Sequence, residues 1–526
     1  MKQKNYKTYL ANILPCVGYG ILTGVFTGGT IFLFKFLAGK AESLSRTIYG
    51  WAKSSVPAIL LVFAVLIALA FLMSRIHKAA PECKGGGIPR SEGILRGSLT
   101  FAPLRTFLGT FFGSMISFFA GLPCGSEGPA VLIGTSIGHF AGKSSKKHLA
   151  LNRYLMTGGA GAGFAVATGA PLSGILFTLE EIHKRFSPML VLTVSMAVLS
   201  ATGTNYLLCQ AFTMNTSLFH LDTFPAFSLG HAGYLLLLGI FIALAVAVFD
   251  GSILLFRKFT SHGKKGPVPV KLMVTFTLAG ILCFCLADGA YSGHHMIEHV
   301  LEHNMTIGLL FALFLIRLVM MLMITDSGAT GGIFIPTLAI GILAAALITK
   351  LLVFLGMPSE LSTIMIFLGM CAFIGGTLRA PLTASVLFVE LSGQFTGLFY
   401  VAVVVFVVSL VTEIFNQTPF YDKALEEMTE AHHHRKQMQI SRFTLIISPN
   451  DFVVGKAVRD IMWPHSSVIE SISHADSDIL EEMDDGEQRL YVGDRVTIRA
   501  AYYDKKEILD LLLGLAGDDV EIEDIV

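Results

Sequence analysis

Long apolar runs interrupted by glycine and proline fill the first 420 residues of this chain and restrict what it can fold into. They span roughly 10–36, 56–73, 101–121, 155–179, 189–208, 234–256, 272–286, 307–325, 334–355, 361–373 and 398–415. Crossing about 30 Å of hydrocarbon takes roughly 20 helical residues, so the runs read as membrane helices. Only 14% of the 526 residues are charged, against about 25% in a soluble domain. The formal net charge of zero hides an uneven distribution. From Tyr421 onward there are 23 acidic and 11 basic residues, which leaves 15 acidic and 27 basic before it. The expectation is an all-α polytopic membrane domain followed by a small, polar α+β domain.

Lys2, Lys4 and Lys7 precede the first apolar run, so the N-terminus is expected in the cytoplasm with an uncleaved first helix. Both termini are then cytoplasmic, and the membrane is the inner or plasma membrane if the source is prokaryotic. The seven cysteines are scattered through apolar runs and read as small core residues, not as a disulfide framework. His295, His299 and His303 recur every four residues, a spacing that suits metal ligands on one helix face. They are read instead as the polar start of the helix before the 307–325 run. No cofactor or nucleic-acid partner is expected, and no Walker or Rossmann fingerprint is present.

A repeat relates the two halves. Ala170-Pro171-Leu172 through Phe177 to Glu180 returns as Ala380-Pro381-Leu382 through Phe388 to Glu390, at an offset of 210 apart from a one-residue slip in the Phe. Upstream, Gly125, Gly128 and Gly138 match Gly328, Gly331 and Gly341 at an offset of 203. Irregular backbone at membrane depth survives only where protein covers it or it lines a polar cavity. In repeat-built transporters, broken helices from the two halves meet near the midplane and form the substrate site.

Three breaks share one chemistry: Gly85-Gly86-Gly87-Ile88-Pro89, Gly125-Ser126-Glu127-Gly128-Pro129 and Gly331-Gly332-Ile333-Phe334-Ile335-Pro336. Each sets glycines ahead of a proline, which suits the first turn of a helix. Helix N-termini carry about half a positive charge, so several aimed at one point would hold a dehydrated anion without a fixed cation. The competing reading is close helix packing by small residues.

These segments resemble, in order and spacing, the three signature loops of the CLC chloride channel and transporter family, and the likeness extends over nearly all of residues 1–436. The resemblance implies an inverted-repeat fold with re-entrant broken helices, and a homodimer with one anion path per subunit. It implies that Gly86, Gly87, Ile88, Gly125, Ser126, Gly128, Ile333, Phe334, Ile335 and Tyr421 line the anion site. Glu127 matches the family's gating glutamate, a carboxylate that competes with the anion for the same seat. Glu181 matches the inner proton-transfer glutamate of the exchangers, which favours chloride/proton antiport over a passive voltage- or pH-gated channel. Glu92 and Glu390 match acidic family positions and read as structural partners. Gly86 departs from the serine of many chloride-selective members and leaves selectivity among small anions open. The fluoride-exporting branch is disfavoured, because Tyr421 is present and position 86 is neither Met nor Asn.

Residues 437–526 read as short strands at 443–447, 467–472, 488–492 and 495–500 and a helix over 506–515. The stretches Val454–Val458 and Leu490–Val496 resemble the TrkA-C-like (RCK-C) subdomain of potassium-channel and uptake proteins. That implies a dimerising module or one that senses a small ligand; a passive packing domain is the alternative. The function expected for the whole is non-enzymatic: movement of chloride, or a similar small anion, against protons across the bilayer.

Overall fold

The computed structural model describes residues 6–144, 149–184, 186–214, 229–262, 267–415, 418–433, 438–449, 451–464, 467–475, 480–482, 486–516 and 520–525. The expected boundary at 436/437, with Arg435 and Lys436, lies outside them, as do Lys2 and Lys4. Among the described residues, seventeen α-helices precede the C-terminal sheet. The first four are α1 (Tyr6–Ala52), α2 (Val56–Ala79), α3 (Ile88–Arg96) and α4 (Pro103–Phe119). They are followed by α5 (Glu127–Ser144), α6 (Leu149–Thr168), α7 (Pro171–Phe177) and α8 (Pro188–Ala211). The second half begins with α9 (Ala232–His262), α10 (Val268–Cys285), α11 (His294–Glu302) and α12 (Ile307–Ser327). It continues through α13 (Phe334–Phe354), α14 (Ser362–Leu378), α15 (Pro381–Ser392), α16 (Leu398–Ile414) and α17 (Phe420–His433). Among the described residues, nine helices are long and apolar enough to cross a membrane.

Local chemistry sets many of the boundaries. Ser55, Ser187 and Thr306 accept from backbone amides in the first turns of α2, α8 and α12, supplying acceptors that those turns otherwise lack. Proline opens α7 and α15, where its missing N–H costs nothing. Gly328, at φ 70°, ends α12 in the left-handed conformation and starts the descent into the third glycine loop. The core lies around α13 and α14, which are enclosed on nearly all sides, whereas α2 and α10 present leucine and valine outward. The helix over 6–52 far outruns the expected 10–36 run. Its second half is polar enough to carry a Glu42–Arg46 ion pair at 2.8 Å.

The run read as one helix over 155–179 is two. Gly169 at φ 67° and Pro171 break it between α6 and α7, so α7 is re-entrant. A π-helical turn over Thr178–Ile182 extends α7, closed by the His183 amide on the Thr178 carbonyl at 2.9 Å.

The C-terminal domain is an antiparallel sheet in the order β3-β2-β4-β1-β5 with one helix. Its elements are β1 (Gln439–Ile446), β2 (Ser467–Ser473), β3 (Leu480–Glu482), β4 (Arg495–Tyr502), α18 (Lys505–Leu513) and β5 (Val520–Ile525). The strand expected at 488–492 is not one. Arg489 makes a single bridge to Ala457, and Tyr491–Asp494 turns into β4. Both edge strands, β3 and β5, are acidic, a charge pattern that blunts edge-to-edge pairing.

The domain sits directly on the helices. The Tyr154 hydroxyl donates to the Asp460 carbonyl at 2.9 Å, and its ring lies 5.5 Å from that of Phe452. The Arg153 guanidinium donates both to Met462 O in the domain, at 3.0 Å, and to Leu95 O at the end of α3. Leu179, Leu190 and Val194 share one apolar cluster with Phe443, Phe452 and Leu512.

Candidate ion-binding site

The three glycine loops converge, and they bond to one another across the halves. Gly125 and Gly332 form an antiparallel bridge, with N–H···O distances of 2.7 and 2.8 Å. The Gly85 amide donates to Gly328 O at 3.1 Å, and the Gly331 amide to Gly85 O at 3.4 Å. A Cβ on Gly87 (φ 83°) would strike the Gly128 carbonyl, and one on Gly128 would strike the Gly86 carbonyl, so glycine is required for this approach. The Gly125 amide is engaged by Gly332 O, so what Gly125 offers the site is close backbone approach and not a free N–H. The third loop is pinned from outside through Thr330. Its carbonyl accepts from Ser117 Oγ at 2.6 Å, and its hydroxyl meets His77 Nε2 at 3.0 Å and donates to Cys83 O at 2.9 Å.

Glu127 opens α5 with no exposure to solvent. One carboxylate oxygen accepts from Ser126 Oγ at 3.0 Å. The group lies within interaction range of its own amide and that of Ile335, between the N-termini of α5 and α13. It folds over Gly125, where a side chain would collide with it. The carboxylate thus sits beside helix N-termini, an environment that favours negative charge, with its Oε2 making no hydrogen bond. The opening residues of α13 complete the wall. Ile333 lies against Gly86, Ile335 against Gly125, and the Phe334 ring stands edge-on to Phe164 at 5.0 Å. Ile88 is fully buried at the start of α3. Sequence reading missed Lys35 of α1. Its ammonium donates to Val166 O at 3.0 Å within electrostatic range of Glu127, and its only signal was a lone cation inside a long apolar run.

Tyr421 is 1% exposed and lies within electrostatic range of Glu127, Glu181 and Glu92. Glu181 is also 1% exposed, and its Oε1 has no hydrogen-bond partner. That excludes a solvated interface charge. The π turn separates it from its neighbour: Glu180 points across to α15 while Glu181 points inward. Such single π turns concentrate at functional sites.

Glu180 and Glu390 do matching work in opposite halves. The Glu180 carboxylate accepts from the Leu382 and Thr383 amides and the Thr383 hydroxyl at 3.0, 2.8 and 2.7 Å, capping α15. Glu390 accepts from the Leu172 and Ser173 amides and the Ser173 hydroxyl at 2.7, 2.7 and 2.6 Å, capping α7. The sequence offset of 210 is thus a reciprocal clasp. Glu92, fully buried, pairs with Arg96 at 2.5 Å. His295 and His299 project from α11, more than half exposed, with His299 beside Asp288.

Two interlocked halves, each contributing broken helices to a buried polar seat flanked by carboxylates, define a membrane ion-transport protein of the inverted-repeat class. The sequence profile described as "Voltage gated chloride channel" matches residues 65–413. The chain belongs to that family. It is 30% identical over 390 residues to the H(+)/Cl(-) exchange transporter ClcA of Vibrio cholerae serotype O1 (strain M66-2), covering 71% of this chain and 81% of the relative. ClcA of Salmonella paratyphi B (strain ATCC BAA-1250 / SPB7) is 29% identical over 379 residues, covering 70% and 78%. The crystal structure of a slow cyanobacterial Cl-/H+ antiporter superposes with a TM-score of 0.73 at 26% identity, covering 81% of this chain and 99% of that one.

Proposed function

We propose that this protein exchanges chloride, or a similar small anion, for protons across the bilayer. The observation that carries the reading is Glu127, a carboxylate seated among helix N-termini that would otherwise hold an anion. Ionised, it occupies the seat; protonated, it has less reason to remain, so proton uptake and anion entry are linked. Backbone dipoles on α3, α5 and α13 hold the anion without trapping it, as rapid exit requires. Tyr421 supplies a neutral hydroxyl donor from the inner side. Glu181 serves as the inner proton relay, a role that its burial within a membrane domain supports.

The remainder of the proposal rests on family likeness and packing: a homodimer with one path per subunit, and both termini in the cytoplasm. In support of the latter, Cys16 near the start of α1 packs on Leu151 and Leu155 at the end of α6 that holds the C-terminal domain. That domain acts as a regulatory module, and the Arg153 fork gives it a mechanical hold on α3.

The test is reconstitution in liposomes with a chloride gradient while external pH is recorded. Uphill proton movement is the expected result; chloride flux with no pH change would make the protein a passive channel.

A further inference from the structure

Three segments that each carry a transport residue end together in one cluster of ion pairs. The helix α3 opens at the Gly86–Ile88 loop and, one to two turns on, presents Glu92 and Arg96. The π turn carries Glu181 and, three residues later, Lys184. The helix α17 carries Tyr421 and, next to it, Asp422. Lys184 Nζ donates to both Asp422 oxygens, at 2.6 and 2.7 Å, and lies 3.9 Å from Glu92 Oε1. Arg96 lies 2.5 Å from Glu92 and 3.9 Å from Asp422. Lys184 holds this position at φ 53°, a left-handed conformation uncommon for a residue with a side chain.

We propose that the Lys184–Asp422 ion pair is a positioning element of the exchange cycle, which ties the seating of the Tyr421 helix to the charge on the inner carboxylate. The inference rests on the roles proposed above for Glu181 and Tyr421.

The charge arithmetic gives the mechanism. Counted as ionised, Glu92, Arg96, Lys184 and Asp422 sum to zero, and an ionised Glu181, three residues from Lys184 and bordering the same cavity, leaves the group with one net negative charge. Lys184 is then shared among Glu92, Glu181 and Asp422. When Glu181 takes a proton the shared claim ends, and Lys184 commits to Asp422, drawing α17 and its tyrosine toward the π turn. Lys184 and Asp422 are 34% and 23% exposed, so solvent screens the pair, and its bias on the choice is modest, of the size of a partly exposed ion pair held in bidentate geometry.

Lys184 is also a wall common to two cavities. One, of about 580 Å3, lies beneath the C-terminal domain and is bordered by Glu426, Glu430 and Asp504. The other, of about 640 Å3, is bordered by Glu180, Glu181, Arg379 and Glu413. These groups, with His183 on the π turn, are the other titratable neighbours that a pH profile would sense.

The experiment measures the proton-to-chloride ratio and the pH profile of chloride flux in proteoliposomes for Lys184→Met, Asp422→Asn and the exchanged pair Lys184→Asp/Asp422→Lys. Glu181→Gln is run alongside, and gel filtration reports folding. Each single variant is expected to keep chloride flux while the ratio falls roughly twofold to tenfold, the scale of coupling through packed networks, and the pH profile flattens. The exchanged pair is expected to recover most of the ratio, which a merely structural loss would not do. A wild-type ratio and profile in both single variants, with proton movement abolished in Glu181→Gln, overturns this inference alone. Proton movement that survives Glu181→Gln overturns the relay reading and this inference with it.

Discussion

The two Ala-Pro-Leu helices are the same device twice, except where the chemistry is. Glu180 on the extension of α7 and Glu390 on α15 occupy matching positions and cap one another's helices with three hydrogen bonds each. The next residue differs: Glu181 in the first half corresponds to Leu391 in the second. The glycine loops behave alike. At the offset of 203, Gly125 and Gly128 match Gly328 and Gly331, while Glu127 between them corresponds to Thr330. Thr330 anchors its loop to His77, Cys83 and Ser117; Glu127 fills the anion seat. Positions that repeat build the scaffold, and the positions that break the repeat are those to which the proposed function assigns transport roles.

The largest expected effect tests that division at its sharpest point. Glu181→Gln should lower coupled proton movement roughly 100-fold or more, in the range of lost acid–base catalysis, and leave chloride flux, as read by a chloride electrode and external pH together. Glu127→Gln should release chloride flux from its dependence on pH. At the matched positions the outcome reverses. Glu180→Gln and Glu390→Gln should each reduce stability by about 1–2 kcal/mol, through loss of charge-assisted bonds to a partly exposed helix N-terminus. Thermal unfolding in detergent should show similar losses for the two, with the transport ratio unchanged. A ratio that shifts in one and not the other would break the symmetry argument. Leu391→Glu in the Glu181→Gln background should not restore proton movement, because the second half lacks both the π turn and the neighbouring Lys184. The smallest effect belongs to Gly86→Ser. A Cβ there lies 3.3 Å from the flexible Ile333 side chain and 3.9 Å, ordinary contact, from the Gly331 carbonyl, so the hydroxyl can be accommodated with a small shift of Ile333. The expected result is a change of about threefold in the chloride-to-nitrate flux ratio, the scale of one weak added hydrogen bond.

The glycine-broken helices were legible because Gly and Pro dictate backbone locally, and the clasp was legible as a repeat. The break between α6 and α7 was not, since Gly169 and Pro171 lie inside a continuous apolar run that reads as one span. The Lys184–Asp422 pair joins residues 238 positions apart, and no local pattern announces it. The third break placed Phe334 correctly at the head of a helix, yet the commitment of the Gly125 amide to Gly332 depends on two loops meeting from opposite halves. In the C-terminal domain, β3 is only three residues long and β5, although Val520 to Glu523 alternate, lies beyond the expected helix, while the 488–492 stretch reads as a strand on its Leu-Tyr-Val run and forms only a bridge.

The Gly125–Gly332 bridge bears on how the protein can move at all. Transporters built from inverted repeats commonly work by rocking one half against the other. Here the halves are stitched through their own main chains beside the Glu127 carboxylate, and buckled again by two crossed carboxylates at α7 and α15. Swinging them apart would break those main-chain hydrogen bonds. Under the exchange reading proposed above, a cycle that keeps this bridge intact works through the Glu127 side chain and the short α17 and not through separation of the halves.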